Sequence, residues 1–317
     1  MPVKISVVIP CYRVASQILD VLGKIGPDVD AIYVVDDACP QDTANLVQEK
    51  CEDARVIVLS HEVNLGVGGA TITGYRRAIA DGADIVVKLD GDGQMDPANI
   101  GQLTRPIRDG LADYTKGNRF FDPEFVVSMP KLRLFGNAVL SLFAKLSTGY
   151  WDLFDPNNGF TAISVRVLER LPLDKISDSY FFESDMLFRL NSYRAVAVDV
   201  PMQAIYGAEK SGISVPSAAV EFFIKHWINT IKRIFYNYYL RDFSIASLEL
   251  ILGLALLLFG AITGALFWWA SISTGVVATA GGVMLAALPV IVGIFLLLSF
   301  LNYDIRNVPR TPLLRLL

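Results

Sequence analysis

The feature that most constrains this chain is a stretch of 54 residues, Leu250–Tyr303, without a single Asp, Glu, Lys or Arg. Two apolar segments, about 245–269 and 276–301, cover most of it and are joined by a short uncharged turn at 270–275. At about 1.5 Å per residue, each segment is long enough to cross a bilayer core of about 30 Å. The sequence excludes a wholly soluble protein and predicts two transmembrane helices within 244–303.

The charged residues are distributed unevenly around this stretch. The net charge is −7 over residues 1–220, +1 over 221–249 and +2 over 304–317, which gives −4 for the chain. Basic residues flank the outer ends of the predicted hairpin, so the positive-inside rule places these ends and both chain termini in the cytoplasm. The small net charge excludes a strongly basic nucleic-acid binder, and the uncharged spans argue against an ion pump. We expect a cytoplasmic soluble domain at 1–215 and a basic cytoplasmic tail at 304–317.

An amphipathic juxtamembrane region at 216–243 connects the soluble domain to the hairpin. Four basic and no acidic residues lie between Lys225 and Arg241. Apolar residues recur opposite the lysines at helical spacing, which is typical of a helix lying in the lipid headgroup layer. A linker helix packed on the soluble domain is the alternative. The apolar residues of this pattern are Phe223, Trp227, Ile231, Ile234 and Tyr238.

The soluble domain shows an alternation of strand and helix patterns. Its first apolar run, Ile5–Pro10, is too short for a signal sequence and predicts a first β-strand. Strands and helices then alternate up to a strand at Asp84–Leu89. This order predicts an α/β fold, a mostly parallel sheet with helices on both faces, in which ligands bind beyond the carboxyl ends of the strands. Three cysteines without a CxxC pair and two histidines predict neither a disulfide framework nor a zinc site.

Two common nucleotide-binding classes can be excluded from glycine patterns. The glycine-rich run at 64–70 places Thr71 where the third glycine of a dinucleotide fingerprint would stand, which excludes a Rossmann dehydrogenase. The GxxxxGK[ST] motif of P-loop NTPases is absent from the sequence.

The most informative motif follows the predicted strand at Asp84–Leu89. Asp90 and Asp92 stand one residue apart at its carboxyl end, and Gln94 comes shortly after. Hard oxygen ligands of this kind suit Mg²⁺ or Mn²⁺, which share their coordination with substrate phosphates. The sequence predicts a metal and phosphate site at this edge of the sheet.

Seven short motifs follow one another in order through about residues 3–215. They are Pro10-x-Tyr12, Val35-Asp36-Asp37, Asn64-x-Gly66, Asp90-x-Asp92-x-Gln94, Gly117-Asn118-Arg119, Asp155-Pro156-x-x-Gly159-Phe160 and Pro201 through Lys210-Ser211. As a set they resemble the family-two inverting glycosyltransferases with a GT-A fold, and most of all the polyprenyl-phosphate transferases of the dolichol-phosphate mannose synthase type. The two-span anchor is similar to that of the membrane-tethered members. The resemblance implies transfer of a sugar, with inversion, from a nucleotide-diphosphate donor to polyprenyl phosphate at the cytoplasmic membrane face.

The resemblance also implies roles for individual residues. Asp90, Asp92 and Gln94 would surround the metal and the diphosphate, and Asp155 would face the sugar or the acceptor. Asp155 is either a base, an orienting group or the start of an Asx turn. Glu183 and Asp185 precede an apolar helix, and we interpret them as ligands of sugar hydroxyls or as helix caps. The remaining implied contacts are Pro10, Tyr12, Val35 and Asp37 with the base and ribose, and Arg119, Arg133, Asn137 and Lys210 with the lipid phosphate or the diphosphate.

Two positions depart from the family pattern. The usual Tyr-Asn-Glu after Pro-x reads Tyr12-Arg13-Val14 here, and the usual Ser after Asp-Asp-x is Cys39. Because the carboxylate of that Glu is missing, the nucleotide base and the identity of the donor stay open.

Two other functions and one assembly question remain as alternatives. A processive polysaccharide synthase is disfavoured because the sequence has no Gln-x-x-Arg-Trp motif and only two predicted spans. A catalytically idle nucleotide-sugar-binding membrane scaffold is opposed by the presence of Asp90, Asp92 and Gln94. For the oligomeric state, a homo-oligomer and a monomer are both compatible with the sequence.

Overall fold

The computed structural model of the chain describes residues 3–121, 131–156, 158–202 and 215–317, with the backbone alone at 131–135, 137 and 215–219. The chain forms two compact units. The first unit comprises Met1–Ile231 and Pro309–Leu317, and the second comprises Lys232–Val308. The chain leaves the first unit after Ile231 and returns to it at Pro309.

The first unit is built from alternating strands and helices, as the sequence predicts. Within the described residues its strands are β1 (Ile5–Cys11), β2 (Ala31–Asp36), β3 (Val56–Ser60), β4 (Ile85–Lys88), β5 (Tyr114–Asn118), β6 (Thr161–Ser164) and β7 (Ala197–Pro201). Its helices are α1 (Ile18–Gly23), α2 (Thr43–Lys50), α3 (Gly66–Ala80), α4 (Ile100–Arg108), α5 (Lys131–Thr148), α6 (Val165–Leu168), α7 (Phe182–Ser192) and α8 (Val215–Phe235), the last of which continues into the second unit.

The seven strands form one mixed sheet in the order β3-β2-β1-β4-β6-β5-β7. β6 runs antiparallel to both of its neighbours, and the other pairs are parallel. All seven residues of β1 are buried, which is why this strand reads as a continuous apolar run rather than an alternating one. The predicted α/β fold with a mostly parallel sheet is confirmed.

Helices cover both faces of the sheet. On one face Ile9, Val34 and Val87 belong to a core that also contains apolar residues of α1, α2 and α4. On the other face α3 lies so close to β1 that a Cβ on Gly74 would come 2.9 Å from Val8 Cγ2. Glycine is needed at this position because real Cβ atoms do not approach other heavy atoms below about 3.0 Å.

The cap of helix α2 does not come from the residue that directly precedes the helix. That residue is Asp42, and its side chain makes no capping hydrogen bond. Asp42 adopts a left-handed backbone conformation with a φ of 53°, and its carboxylate instead accepts from Asn45 Nδ2 at 2.6 Å. The buried Asp36 at the end of β2 supplies the cap, since its carboxylate accepts from the backbone N–H groups of Ala44 and Cys39, both at 2.7 Å. Asp36 thereby fixes the turn after β2.

The last residues of the chain pack on the first unit, to which they belong. Asp113, which is fully buried, accepts from the backbone N–H groups of Leu313 and Leu314 at 2.7 Å. The same carboxylate accepts from Val196 N at 2.7 Å, at the start of β7. One buried anion therefore fastens the C-terminal segment to the edge of the sheet, and Leu314 packs against the core.

The second unit contains two long apolar helices, α9 (Ile245–Thr274) and α10 (Ala280–Arg306), with mean hydropathies of 2.5 and 2.7. They are long and apolar enough to cross a membrane. The predicted turn at 270–275 is misplaced, because α9 continues to Thr274. The hydroxyls of Ser273 and Thr274 donate to the carbonyl of Ala270, which satisfies them inside the helix. The helix ends at Gly275, whose φ of 68° is left-handed.

Helix α8 has two different sides in the part that belongs to the first unit. Most of its large apolar side chains are exposed, and three of its polar side chains are buried against the protein. Asn229 Nδ2 donates to Asp185 Oδ1 at 3.0 Å, and His226 Nδ1 lies 2.7 Å from Ser147 Oγ. The exposed apolar residues include Phe223, Trp227 and Ile231, and the buried polar residues are His226, Asn229 and Thr230.

The chain entering α9 is π-helical at Tyr236–Arg241. Tyr238 belongs to the apolar pattern of the juxtamembrane region, but it does not share the exposure of Phe223, Trp227 and Ile231. The Tyr238 side chain is buried, and its hydroxyl donates to Asp304 Oδ1 at 2.5 Å. Arg233 binds both oxygens of the same carboxylate, at 2.7 and 2.9 Å. A buried ion pair in the second unit therefore turns Tyr238 inward.

Candidate active site

The candidate site lies at the carboxyl edge of the sheet, where neighbouring parallel strands end. Cys11 of β1 pairs with Asp36 of β2, and Val8 of β1 pairs with Lys88 of β4. β4 ends at Lys88, and the Asp-Gly-Asp motif at 90–92 follows almost at once. The ladder brings the ends of β1, β2 and β4 to one edge, which is where the sequence predicts ligand binding.

A buried lysine holds the first carboxylate of this motif. Lys88 Nζ donates to Asp90 Oδ1 at 2.6 Å and to the carbonyl of Gly159 at 3.4 Å, and it pairs with Glu183 Oε1 at 3.0 Å. The Lys88 side chain is 1% exposed, whereas that of Asp90 is 29% exposed. Burial alone lowers the pKa of the lysine, but the two carboxylates raise it above its ordinary value, so the ammonium form persists. Asp90 is fixed by a charged donor on one side and open to solvent on the other.

Gly159 leaves the space that this arrangement needs. A Cβ at this position would lie 2.6 Å from Lys88 Nζ and closer still to Asp90 Oδ2. Any larger residue would displace the lysine, the carboxylate or the segment that carries residue 159. The absence of a side chain here is therefore a geometric condition for the Lys88–Asp90 contact.

The carboxylates of Asp90 and Asp92 are the oxygen ligands available to a divalent ion at this edge. Asp92 is half-buried, and its Oδ1 accepts from the backbone N–H of Gln94 at 3.0 Å. Among the described residues no three His, Cys, Asp or Glu side chains group closely enough to enclose a metal by themselves. Mg²⁺ and Mn²⁺ do not require such a cage, because one or two carboxylates, water and substrate phosphates commonly hold them. The two carboxylates at this edge are the donor type that such a shared metal site uses.

Three of the residues predicted to surround the base and ribose lie at the ends of β1 and β2. Pro10 and Val35 are partners in the ladder, and both are buried. The Tyr12 ring is 43% exposed and lies 5.3 Å from the guanidinium carbon of Arg13. An exposed aromatic ring of this kind can stack on a nucleobase. Tyr12 is thus the member of this group whose side chain faces solvent.

Asp37, the fourth residue of that group, has a dense set of partners inside the protein. Its carboxylate accepts from the backbone N–H groups of Leu65 and Gly66, both at 2.8 Å. His61 Nδ1 lies 2.7 Å from Asp37 Oδ1, and the Asp37 side chain is 3% exposed. Asp37 therefore holds the start of α3 at the sheet edge, and its contact with a nucleotide stays a prediction. The sequence analysis missed His61, although its position directly after β3 was a signal for this edge.

Arg119 was predicted at the lipid phosphate or the diphosphate, and Asp155 was predicted to face the sugar or the acceptor. The two side chains bind each other. Arg119 Nε and Nη2 donate to the two Asp155 oxygens at 2.7 and 2.8 Å, which is a bidentate contact. Asn158 Nδ2 lies 3.3 Å from the same carboxylate. Asp155 is buried and has a φ of 50°, a left-handed conformation that costs a non-glycine residue free energy. Strain of this kind persists when neighbouring contacts enforce it.

A second buried lysine supplies those contacts. Lys116 Nζ donates to the carbonyls of Phe154 and Asp155, the latter at 2.9 Å, and pairs with Asp199 Oδ1 at 3.0 Å. Asp199 in turn accepts from the backbone N–H of Phe154 at 2.7 Å. The Lys116 side chain is fully buried. The backbone on both sides of the Phe154–Asp155 peptide is therefore held by charged groups.

Glu183 and Asp185, predicted as sugar ligands or helix caps, begin α7 and are buried. Phe181, the residue that precedes the helix, makes no side-chain capping bond, and both acidic residues stand in the first turn. Glu183 pairs with Lys88, and burial raises the pKa of its carboxyl against the opposing effect of that lysine. Asp185 accepts from Ser177 N and Asn229 Nδ2, both at 3.0 Å. Their sugar-binding role stays a prediction.

Three predicted phosphate ligands lie outside what the structure describes. Arg133 and Asn137 belong to α5, but their side chains are not among the described ones. Lys210 lies outside the described residues altogether. Their predicted contacts with phosphate are neither supported nor opposed by the geometry.

The seven-stranded sheet and its helices form a fold of the GT-A type. Glucosyl-3-phosphoglycerate synthase from Mycobacterium tuberculosis, solved with Mn²⁺, UDP and phosphoglyceric acid, aligns with a TM-score of 0.54 and 20% identity. The alignment covers 73% of this chain and 78% of that one. At this identity the likeness establishes the fold alone.

The sequence model of Glycosyl transferase family 2 matches residues 6–172, more than half of the chain. The chain belongs to glycosyl transferase family 2. It is 32% identical over 216 residues to the UDP-N-acetylglucosamine–dolichyl-phosphate N-acetylglucosaminyltransferase of Methanococcus voltae, covering 64% of this chain and 86% of the relative. It is 31% identical over 204 residues to the undecaprenyl-phosphate mannosyltransferase of Micrococcus luteus, covering 63% and 82%. The family predicted from the seven motifs is confirmed.

Proposed function

We propose that this chain is a divalent-metal-dependent glycosyltransferase that moves a sugar, with inversion, from a nucleotide-diphosphate donor to a polyprenyl phosphate at the cytoplasmic membrane face. The observation that carries the proposal is a family 2 chain that has Asp90 and Asp92 just after β4 and continues into two helices apolar enough to cross a bilayer. The named activities of the M. voltae and M. luteus relatives, both toward polyprenyl phosphates, support the same class of acceptor.

On the donor side, Asp90 and Asp92 would hold Mg²⁺ or Mn²⁺ with Gln94 beside them. The ion, when bound, supplies a Lewis acid that neutralises charge on the leaving diphosphate. Lys88 keeps one oxygen of Asp90 engaged, so the same carboxylate presents its second oxygen in a fixed orientation. The M. tuberculosis neighbour, solved with Mn²⁺ and UDP, supports a divalent ion in this fold.

On the acceptor side, the Arg119 guanidinium is the proposed phosphate ligand, because this group suits bidentate binding of phosphate. Asp155 occupies its Nε and Nη2 donors, so the acceptor phosphate would share the guanidinium with the carboxylate or take its place. An acceptor phosphate with a second pKa near 6 is largely dianionic at neutral pH, so it needs no strong base to attack. Asp155 then orients the sugar or the arginine rather than removing a proton. Arg133, Asn137 and Lys210 are the further phosphate ligands of the proposal.

On the membrane side, the exposed apolar side of α8 would lie in the headgroup layer. Its exposed Phe223, Trp227 and Ile231 are the kind of side chain that enters the boundary between headgroups and acyl chains. The basic residues before α9 and after α10 favour a cytoplasmic location for both ends of the hairpin. A phosphate that emerges from the bilayer surface would then meet the enzyme at the same leaflet.

The proposal is tested with membranes that contain the chain, labelled UDP- and GDP-sugars, and MgCl₂ or MnCl₂. Label in an organic-extractable lipid is the expected result. Label in polymer would instead indicate a polysaccharide synthase, and no transfer from any donor would indicate an idle scaffold.

The Asp92→Asn variant tests the metal site within the same assay. We expect transfer to be nearly abolished while the protein stays in the membrane fraction, because an amide oxygen without charge is a poor ligand for a hard cation. Asp20→Asn, at an exposed position on α1, is the matched control and should transfer like the unmodified chain. Full activity of Asp92→Asn would contradict the assignment of Asp92.

A further inference from the structure

Two buried lysines stand in one row across three strands of the sheet. In the β-ladder Thr161 of β6 is the partner of Lys88 on β4 and also of Lys116 on β5. Partners in a ladder project their side chains to the same face, and neighbouring strands lie about 4.8 Å apart. Lys88 and Lys116 therefore rise from the same face about 10 Å apart, one on each side of Thr161.

The two ammonium groups hold backbone carbonyls on both sides of the Asp155-Pro156 motif, just before β6. Lys116 Nζ donates to the carbonyls of Phe154 and Asp155, and Lys88 Nζ donates to that of Gly159. Each also binds carboxylates: Lys116 pairs with one and Lys88 with two, including Asp90. The segment that carries Asp155 and the motif that carries Asp90 are thus tied to a common row on the sheet.

Stability alone does not explain these charges. Burial costs an ion several kcal/mol, and well-packed apolar residues in place of buried ion pairs are often neutral or stabilising. A buried charge is well suited, however, to hold a carboxylate or a carbonyl in one orientation. The left-handed backbone of Asp155 and the fixed oxygen of Asp90 are such orientations.

From this row we infer that Lys88 and Lys116 are positioning residues with separate tasks, Lys88 orienting Asp90 toward the donor diphosphate and Lys116 orienting Asp155 toward the reacting sugar or acceptor. The inference rests on the proposed function for the identity of the reaction. Its geometry requires that the loss of Lys88 weakens donor binding, whereas the loss of Lys116 leaves donor binding intact and slows transfer.

The test measures two quantities on the full-length chain in detergent micelles. The first is the Kd for UDP and GDP in the presence of MnCl₂, by calorimetry, using whichever nucleotide binds the unmodified chain. The second is kcat for transfer to polyprenyl phosphate. We expect Lys88→Met to raise the nucleotide Kd tenfold or more, and Lys116→Met to lower kcat tenfold or more with a Kd within twofold. Lys50→Met, at an exposed position on α2, should change neither quantity.

Two companion variants keep the test decisive when a single variant folds poorly. Lys88→Met leaves the buried Glu183 without a partner, so the double variant Lys88→Met with Glu183→Gln removes that uncompensated charge. It should fold and still bind the nucleotide tenfold more weakly, because Asp90 has lost its donor. Lys88→Arg, which keeps a charged donor, should recover part of the affinity.

Two outcomes would overturn the inference. One is wild-type nucleotide affinity in the folded Lys88 variants, and the other is an equal loss of affinity in the Lys116 and Lys88 variants, which would show a general effect on stability. A chain that binds nucleotide but transfers nothing to polyprenyl phosphate would contradict the proposed acceptor and leave the Lys88 measurement valid.

Discussion

Replacing Gly159 by Ala changes the distance between the segment before β6 and the Asp90 carboxylate. The backbone at residue 159 does not have a positive φ, so alanine adopts it without strain. The new Cβ would lie 2.6 Å from Lys88 Nζ, where ordinary contact begins at 3.4 Å, so the ammonium must shift by about 0.8 Å, and Asp90 Oδ2 by more. Gly159→Ala therefore adds one methyl group directly beside the Lys88–Asp90 contact.

A displacement of about 1 Å in a group that orients substrate can cost about 100-fold in rate, or about 2.7 kcal/mol in the activation barrier. Overpacking a close-packed site also destabilises a protein by about 1–3 kcal/mol. We therefore expect Gly159→Ala to lower kcat/KM for sugar transfer about 100-fold and to lower the Tm by a few degrees. Labelled nucleotide-sugar transfer and thermal unfolding in detergent, on the same preparation, measure both.

Gly101→Ala is the matched control for this experiment. Gly101 lies in α4, and no heavy atom comes within 4 Å of a Cβ built there. Alanine is favoured over glycine in a helix by about 1 kcal/mol, so this variant should keep its activity and gain slightly in stability. Transfer at the wild-type rate by Gly159→Ala would refute the claim that the Lys88–Asp90 contact depends on the space at residue 159.

Two further predictions concern stability in the first unit. Burial lowers the pKa of His226 to about 4, below its unfolded value near 6.5, so the unfolded chain binds more protons between these values and stability falls as the pH drops through that window. At pH 5 the loss is about 2 kcal/mol, and the difference in Tm between pH 7 and pH 5 should shrink in His226→Leu; an unchanged difference would assign the pH dependence to other groups. Asp113→Ala removes the acceptor of three backbone N–H groups, and hydrogen bonds to a charged group contribute about 1.5–3 kcal/mol each. Hydrogen exchange at Leu313 and Leu314 should become much faster in this variant, and protection equal to the wild type would show that packing alone holds the segment.

Local patterns predict the first half of the sheet and the place of its main motif. Neighbouring residues suffice to predict the buried strands β1 and β4. Asp90 and Asp92 accordingly lie just after β4, as the sequence predicts. The reversed direction of β6 is not predicted, because a strand of four residues has no periodicity of its own and pairs according to its partners.

Contacts between residues distant in the chain explain what the sequence analysis missed. In the sequence Lys88 is a single polar residue in an apolar strand. Its ion-pair partner Glu183 lies 95 positions later, so the pairing cannot be predicted from neighbouring residues. Asp42 is of a residue type that often caps helices, but Asp36 at the end of the preceding strand accepts the hydrogen bond from Ala44 N instead. Single side chains near the site are therefore predicted by type, and their partners are set by the tertiary fold.

The return of the chain to the first unit has a practical consequence for work on this domain in isolation. Because Pro309–Leu317 packs with Met1–Ile231, the hairpin is inserted into the domain rather than appended to it. A chain stopped at Ile231 would lack two of the three backbone donors that Asp113 binds, and it would lack the side chain of Leu314. A water-soluble version should be made by replacing residues 232–308 with a flexible linker. This removes the apolar helices and keeps Pro309–Leu317, which belongs to the domain.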